Sequence, residues 1–147
     1  MVKVSSTGQD KKRKGQAVVE FALVLPVFIL LLLGAVEFGR AYLDLHLLTN
    51  AAREGARVGS LPGSNELDVQ SSVNTFLQNA DLSGSWSTSV VVKDPDGTTR
   101  SGGLSDAQEG DRVYVTVSYN FEVLSGSVIP GWSGTVTLNS NCVFRHE

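Results

Sequence analysis

One carboxylate, Glu20, stands at the entrance to an apolar run that extends from Phe21 to Val36. A carboxylate inside a membrane costs about 2.5 to 3.5 kcal/mol at mid-helix, and such residues usually have a specific partner. Immediately before it, Gly15 follows four consecutive cations, namely Lys11, Lys12, Arg13 and Lys14. The residues alone therefore predict a specific partner for Glu20. The alternative is an ordinary first-turn Glu, stabilised by the helix dipole by about 0.3 kcal/mol.

The other residue types that could perform catalysis do not form a recognisable motif. His46 and His146 are distant in the sequence, and we expect both side chains to be solvated. Cys142 is the only cysteine, which excludes an intramolecular disulfide, and its place in a strand pattern predicts a small core residue. The chain has no nucleophile elbow, P-loop or zinc-protease motif. We therefore expect no enzyme activity, no cofactor and no metal site.

Acidic residues in the second half of the chain are candidate calcium ligands. They are Asp94, Asp96, Asp106, Glu109 and Asp111. Their spacing lacks the EF-hand pattern, and Asp94-Pro95-Asp96-Gly97 has the composition that a tight turn requires. We interpret this segment as a turn. Trp132, in a Gly- and Ser-rich loop, is either a partner contact or a loop anchor.

Charge is distributed unevenly along the 147 residues. The first fifteen residues carry five cations and one acid, whereas the remainder carries seven cations and fourteen acids. A basic segment before an apolar run predicts a cytoplasmic N-terminus, with the acidic remainder across the membrane. Because no basic patch follows residue 15, we expect no nucleic-acid binding. The length allows one small domain beside the apolar segment.

The apolar run can cross a membrane only together with its flanks. Its sixteen residues span about 24 Å as a helix, less than the ~30 Å hydrocarbon core, so the predicted transmembrane segment is 16–38. Pro26 inside the run is tolerated in membrane helices as a kink. The alternative is a secretory signal peptide. Against it, the run exceeds the usual length of about 7 to 15 residues, and no small-x-small site follows.

A helical period continues beyond the membrane segment, over residues 39–60. Its predicted stripe consists of Phe38, Tyr42, Leu45, Thr49, Ala52, Ala56 and Gly59, widened by Ala41 and Leu48. Spacings of three and four residues are typical of one face of an amphipathic helix. The stripe changes from large to small residues, which predicts close packing against another element. Leu61-Pro62-Gly63 provides the expected stop.

Residues 61–147 predict an α+β head domain. Ser64-Asn65-Glu66 opens a short helical pattern that continues to about Asn79, and strand patterns follow at Trp86–Val92, Arg112–Val123 and Thr135–Phe144. Their alternation predicts an antiparallel sheet with one covered face, which the long helix and the short helix would cover together. For the last strand, the residues expected to face inward are Val136, Leu138, Ser140, Cys142 and Phe144.

Residues 15 to about 58 resemble the TadE-like pseudopilins of tight-adherence (Tad, type IVc) pilus systems. The motifs that carry the resemblance are Lys14-Gly15 before Gln16-Ala17-Val18-Val19-Glu20-Phe21, the apolar run with Pro26, and Ala51-Ala52-Arg53-Glu54-Gly55-Ala56-Arg57. The ending Arg145-His146-Glu147 adds a weaker likeness. The resemblance implies a pilin-like α+β fold, in which a long N-terminal helix combines with a short second helix and a small antiparallel sheet.

The resemblance also implies a processing site and an assembly site. In this family a prepilin peptidase cleaves after the Gly, which would remove residues 1–15 as a basic leader and leave Gln16 as the mature N-terminus. Glu20, beside Phe21, would then pair with the new amine of a neighbouring subunit and set the subunit register. Gly15 suits cleavage because it has no side chain to obstruct a peptidase. The cations at 11–14 would orient the chain before they are removed.

The implied function is that of a non-enzymatic minor pilin that primes, caps or assembles a Tad adhesion pilus. Implied partners are a prepilin peptidase, other pseudopilins, the major pilin, the inner-membrane platform and membrane lipid. The implied location is the bacterial inner membrane, crossed once with the head outside, in or at the base of the pilus. The alternative function is a permanently membrane-anchored binding module with an external β-rich domain.

Overall fold

The computed structural model describes residues 7–127 and 134–147, with the side chains of residues 7–14, 125 and 127 outside this description. The main elements in these ranges are α1 (Thr7–Gly59), α2 (Glu66–Asn79), β1 (Trp86–Lys93), β2 (Arg112–Glu122) and β3 (Thr135–Arg145). Short 3-10 turns occupy Gly103–Asp106 and Leu124–Ser127. The predicted α+β class is confirmed, whereas Trp132 lies outside the described residues.

The chain divides into two compact units, one ending at Phe38 and the other running from Gly39 to Glu147. The first unit contains the N-terminal part of α1. Within α1, the segment Gly15–Gly59 is long and apolar enough to cross a membrane by length and composition. Every residue from 15 to 36 is exposed, so no part of the described chain covers the apolar run.

In the second unit, α2 begins at a capping box. Asn65 Oδ1 accepts hydrogen bonds from the amides of Leu67 and Asp68, at 2.9 and 3.1 Å, and the Asp68 carboxylate accepts one from the Asn65 amide at 3.0 Å. These bonds satisfy donors that the first helical turn leaves unpaired. The buried face of α2 is formed by Val69, Val73 and Leu77.

The sheet has the strand order β1-β2-β3, with both pairs antiparallel. Alternate residues of the central strand β2 are buried, as predicted for one covered face: Val113, Val115, Val117, Tyr119 and Phe121. The chain leaves β1 through the predicted turn, in which the Gly97 amide donates to Asp94 O at 3.0 Å. Gly97 has φ +94°, a conformation that favours glycine.

Small residues let α1 approach the rest of the second unit closely. Ala51, Ala52 and Ala56 are fully buried. A Cβ placed on Gly55 would lie 2.7 Å from Val73 Cγ2 and 3.3 Å from Val115 Cγ1. Position 55 is therefore the point at which α1, α2 and β2 meet. The expectation that the small residues of the long helix pack on the sheet, beside the short helix, is confirmed.

The N-terminal half of the predicted helix stripe is wrong. Phe38 and Tyr42 are 74% and 55% exposed, and Leu45 is 37% exposed. The covered side carries Ala41 and Leu48, which the predicted stripe included at its margin, together with Asp44. The reason is that the small residues farther along the helix determine which side meets the sheet. Counting back from them by three or four residues, which keeps to the same helix face, leads to Asp44 and Ala41.

Strand β3 is covered less completely than predicted. By register, Val136 and Phe144 share the face of Phe121 and Val113, but each is 40% exposed. Leu138, Ser140 and Cys142 are half-buried. Among the described residues β3 has a neighbouring strand on one side only, and α1 reaches it where Thr49 Oγ1 and Ser140 Oγ lie 3.0 Å apart. Both ends of the strand therefore extend past the covering helix.

The expectation of a solvated His146 is also wrong. Its side chain is buried, and Nδ1 lies 3.2 Å from the carbonyl oxygen of Gly59, the last residue of α1. The His146 amide donates to Asp111 O at 2.7 Å, and the Glu147 amide donates to Ser60 O at 3.0 Å. The residues after β3 thus satisfy carbonyl groups at the end of α1, which a helix end otherwise leaves unpaired. His46, by contrast, is exposed as predicted.

Candidate processing and assembly site

Helix α1 carries every residue that the sequence predicts for orientation, processing and assembly. It begins at Thr7, so the backbone is already helical at Lys11, Lys12, Arg13 and Lys14, whose side chains lie outside the description. A Cβ added to Gly15 would have no atom within 4 Å. Gly in a helix is about 1 kcal/mol less favourable than Ala, so α1 is locally weaker at Gly15. The same holds at Gly34 and Gly39, where an added Cβ would also have no atom within 4 Å.

One turn farther along α1, Glu20 faces Gln16. The Gln16 side-chain amide donates to Glu20 Oε1 at 3.3 Å, and both groups are exposed. Residues four apart on a helix have Cβ atoms about 5 to 6 Å apart, so the two side chains share one face. A charge created at residue 16 would therefore act directly on the Glu20 carboxylate. The structure thus places the Gln16 and Glu20 side chains on one face of α1.

Apart from Gln16, the surface around Glu20 is apolar. Exposed fractions are 67% for Val18, 67% for Val19, 65% for Phe21, 75% for Leu23 and 59% for Val24. A helix that is apolar all round requires lipid or other helices as its surroundings. The carboxylate of Glu20 is consequently the one polar group on an otherwise apolar part of the surface, among the described side chains from Ala17 to Val36. Among the described side chains, Gln16 is the hydrogen-bond partner that the structure gives this carboxylate.

The acidic residues of the second unit do not converge on a metal site. Within residues 7–127 and 134–147, no group of three or more His, Cys, Asp or Glu side chains could hold a metal ion. Asp111 is buried and accepts hydrogen bonds from Arg100 Nε at 2.9 Å and Arg100 Nη2 at 3.1 Å. The Gln108 amide donates to the same carboxylate at 2.9 Å. These bonds, chiefly those from Arg100, hold the pKa of Asp111 below its ordinary value. This carboxylate therefore has a structural partner.

Two grooves of about 480 and 250 Å³ meet at Arg40 in the second unit. The Arg40 guanidinium lies 5.3 Å from the centroid of the Phe121 ring, a cation–π distance. Tyr119 lines both grooves and donates its hydroxyl hydrogen to Ser83 O at 2.7 Å. Burial raises the pKa of Tyr119, which keeps the phenol protonated. Neither groove is lined by His or Cys, so neither contains a nucleophile and imidazole base of the kind used in covalent catalysis.

Two polar features of the second unit were not predictable from the sequence. The Arg100–Asp111 pair joins residues eleven positions apart, on a loop and just before β2, and no local motif indicates it. For Arg40, the spacing to Asp44 four residues later indicates only a polar helix face. Its contact with Phe121 depends on the packing of the sheet against α1, and the spacing of residues along the sequence does not predict it.

Comparison with known families matches the N-terminal helix. The TadE-like protein family matches residues 15–57, a segment that includes Gly15, Gln16, Glu20 and Phe21 and nearly all of the remaining length of α1. No curated protein and no solved structure matches significantly. The predicted resemblance is therefore confirmed for residues 15–57, and the sheet lies beyond the matched segment.

Proposed function

Because residues 15–57 match the TadE-like family, we propose that this chain is a minor pilin, cleaved after Gly15 and acting in the biogenesis of a Tad-type pilus. The observation that carries the proposal is the position of Glu20. It is an exposed carboxylate one turn after an uncrowded glycine, at the start of an exposed apolar helix that could span a membrane. Since TadE-like pilins are structural components of pili, the role is non-enzymatic.

The basic leader and the apolar helix would act first, during insertion. The cations at 11–14 hold the N-terminus on the cytoplasmic side, and the less basic remainder crosses the membrane. This gives a single-pass protein of the bacterial inner membrane with residues 61–147 outside. The Gly15–Gln16 bond then lies at the cytoplasmic interface, where a prepilin peptidase can reach it.

Cleavage changes the charge at the N-terminal end of α1, the helix that must later leave the membrane for the pilus. It removes the cations that had held the chain to the cytoplasmic face and creates an α-amine at Gln16. In a bundle of such helices, the Glu20 carboxylate of one subunit faces the new amine of its neighbour. An unpaired carboxylate in a low-dielectric environment is strongly unfavourable, so only one axial register satisfies both charges. Pairing thereby selects register more than it adds stability.

The head would determine which subunits this chain contacts. The partners that we propose are other pseudopilins, the major pilin and the inner-membrane platform, and the role is priming, capping or assembly at the base of the pilus. The large exposed apolar surface of α1 supplies the helix-packing surface in each case. In the membrane this surface contacts lipid, and in an assembly it contacts the helices of other subunits.

The direct test is the intact mass of the chain after co-expression with a prepilin peptidase. We expect loss of residues 1–15, and we expect Gly15→Leu to remain uncut. Gly34→Leu is the matched control, because a Cβ at Gly34 also has no atom within 4 Å and the residue lies in the same helix. This control should be cut normally. An uncut wild-type chain would support the membrane-anchored binding module instead, and a cut near residue 36 would identify a signal peptide.

A further inference from the structure

The open face of the sheet, opposite the face that α1 and α2 cover, carries a row of three cations. The strand register places Lys93 of β1 opposite Arg112 of β2, and Arg112 opposite Arg145 of β3. Neighbouring strands lie about 4.8 Å apart, so the three side chains leave the sheet side by side. The sequence shows no basic patch after residue 15, because these residues are far apart along the chain and only strand pairing brings them together. We call them the cationic row.

The cationic row is unfavourable for the sheet by itself, since like charges directly opposite each other on adjacent strands are destabilising. Arg112 and Arg145 are the closer pair. The His146 amide donates to Asp111 O at 2.7 Å, so the next pair along this antiparallel ladder is a non-hydrogen-bonded one, in which the side chains approach more closely. In the described chain, no acidic side chain forms a salt bridge with any member of the row.

The charge distribution of the head makes this clustering more informative. Residues 61–147 contain four Lys and Arg residues against ten Asp and Glu residues. One of the four cations, Arg100, is paired with the buried Asp111. The other three form the cationic row, although the same domain has an excess of acids that could have been placed beside them. Violations of local folding rules are expected at functional sites. The row therefore indicates a ligand that carries more than one negative group.

The surface beside the cationic row indicates what else the ligand contains. Lys93 Nζ lies 5.3 Å from the centroid of the Tyr114 ring, a cation–π distance that holds one end of the row in place. In the register, Val91 and Val143 flank Tyr114. Farther along the open face the side chains are hydroxyls and amides: Ser87, Ser89, Thr116, Ser118, Asn139 and Asn141. Because these groups both donate and accept hydrogen bonds, they suit a ligand rich in hydroxyl groups.

We propose that the open face binds an acidic polysaccharide, with sugar carboxylates on the cationic row and sugar hydroxyls on the Ser, Thr and Asn side chains. Arg suits this role because its guanidinium binds a carboxylate through two parallel hydrogen bonds. Protein interfaces are enriched in aromatic residues and depleted in Ser, whereas the described open face has one aromatic ring, that of Tyr114. A nucleic acid fits less well, because the ten acids of the head repel its closely spaced phosphates.

The test is calorimetric titration of the full-length chain, in uncharged detergent micelles, with polygalacturonate and with neutral dextran. Arg112→Gln and Arg145→Gln each remove one charge of the row. Arg53→Gln is the matched control, because it removes the same charge from an exposed position on α1, which packs on the other face of the sheet. We expect wild type and Arg53→Gln to bind polygalacturonate equally, each row variant to bind it about tenfold more weakly, and dextran not to bind.

A second measurement tests the repulsion within the row. Without polymer, Arg112→Gln should have a higher urea midpoint than wild type, because it removes the middle one of three like charges. Arg53→Gln should have the midpoint of wild type. A midpoint for Arg112→Gln that is no higher than that of wild type would contradict the unfavourable arrangement from which the proposal starts.

Three results of the titration would overturn the proposal. Wild type that does not bind polygalacturonate has no such site. Equal weakening by Arg53→Gln would show that binding follows the net charge of the chain and not the cationic row. Poly-glutamate carries carboxylates on a peptide backbone, and if it binds as tightly and depends on the same arginines, the partner is an acidic protein segment. The titration requires neither cleavage nor piliation, so its failure would leave the proposed function standing.

Discussion

The close approach of α1 to α2 and β2 at Gly55 predicts an unusual result for a helix glycine. Replacing Gly by Ala in a helix interior normally stabilises it, by about 1 kcal/mol. At position 55, however, the new Cβ would lie 2.7 Å from Cγ2 of Val73, which is fully buried and has little freedom to move. Overpacking of this kind costs about 1 to 3 kcal/mol. We therefore expect Gly55→Ala to be destabilising by about 1 kcal/mol in net terms.

Gly39→Ala is the matched control for this prediction. It lies in the same helix and in the same unit, and a Cβ there has no atom within 4 Å. Both variants gain the same helix propensity, so the difference between them, about 1 to 3 kcal/mol, isolates the packing cost. The assay is urea unfolding of the full-length chain in detergent micelles, followed by tryptophan fluorescence. Trp86 reports the head, because its indole nitrogen donates to Asn74 Oδ1 of α2 at 2.8 Å. Equal stability of the two variants would refute the three-way packing at position 55.

Two further predictions concern the head. Asn65→Ala removes the side-chain oxygen that caps α2 and should lower the free energy of unfolding by about 1 kcal/mol in the same urea assay, and an unchanged midpoint would contradict the capping box. The pKa of Asp111 is lower in the folded state than in the unfolded state. The contribution of its carboxylate to the stability of the fold is therefore present above the ordinary pKa of 3.8 and is lost as the pH falls through the folded-state pKa. The Asp111→Asn variant should therefore be less stable than wild type at neutral pH, and it should lose less stability than wild type when the pH is lowered. Asp96→Asn, in an exposed turn, is the control and should have the stability of wild type at neutral and at acidic pH. If wild type and Asp111→Asn lost the same stability on acidification, the Arg100–Asp111 pair would not be the source of the acid sensitivity.

The periodic elements were predictable because each pattern has a local physical cause. The alternation from Val113 to Phe121 follows from burial of one sheet face, and the stop after Gly59 follows from Leu61-Pro62-Gly63. The helical pattern opened by Ser64-Asn65-Glu66 likewise corresponds to α2. The motif that begins at Gly15 indicated the family resemblance, and the TadE-like family matches residues 15–57.

What could not be predicted depends on contacts between residues distant in the sequence. His146 is buried because it meets Gly59, 87 positions earlier, and the C-terminal sequence gives no sign of that contact. The side of α1 that carries Tyr42 could not be assigned by hydrophobicity, because the larger residues there are the exposed ones. In a membrane protein, large apolar residues mark lipid contact as readily as core contact, so the hydrophobic stripe alone is ambiguous.

The role of Glu20 in setting subunit register is the central claim, and pilus number tests it most directly. In a deletion strain of the source bacterium, surface pili would be counted by electron microscopy after complementation with wild type, Glu20→Gln or Glu54→Gln. The last is the control, since Glu54 is paired with Arg57 outside the apolar run. We predict normal piliation with wild type and with Glu54→Gln, and loss of pili with Glu20→Gln even though that chain is still cut after Gly15. Wild-type pilus numbers with Glu20→Gln would contradict the account.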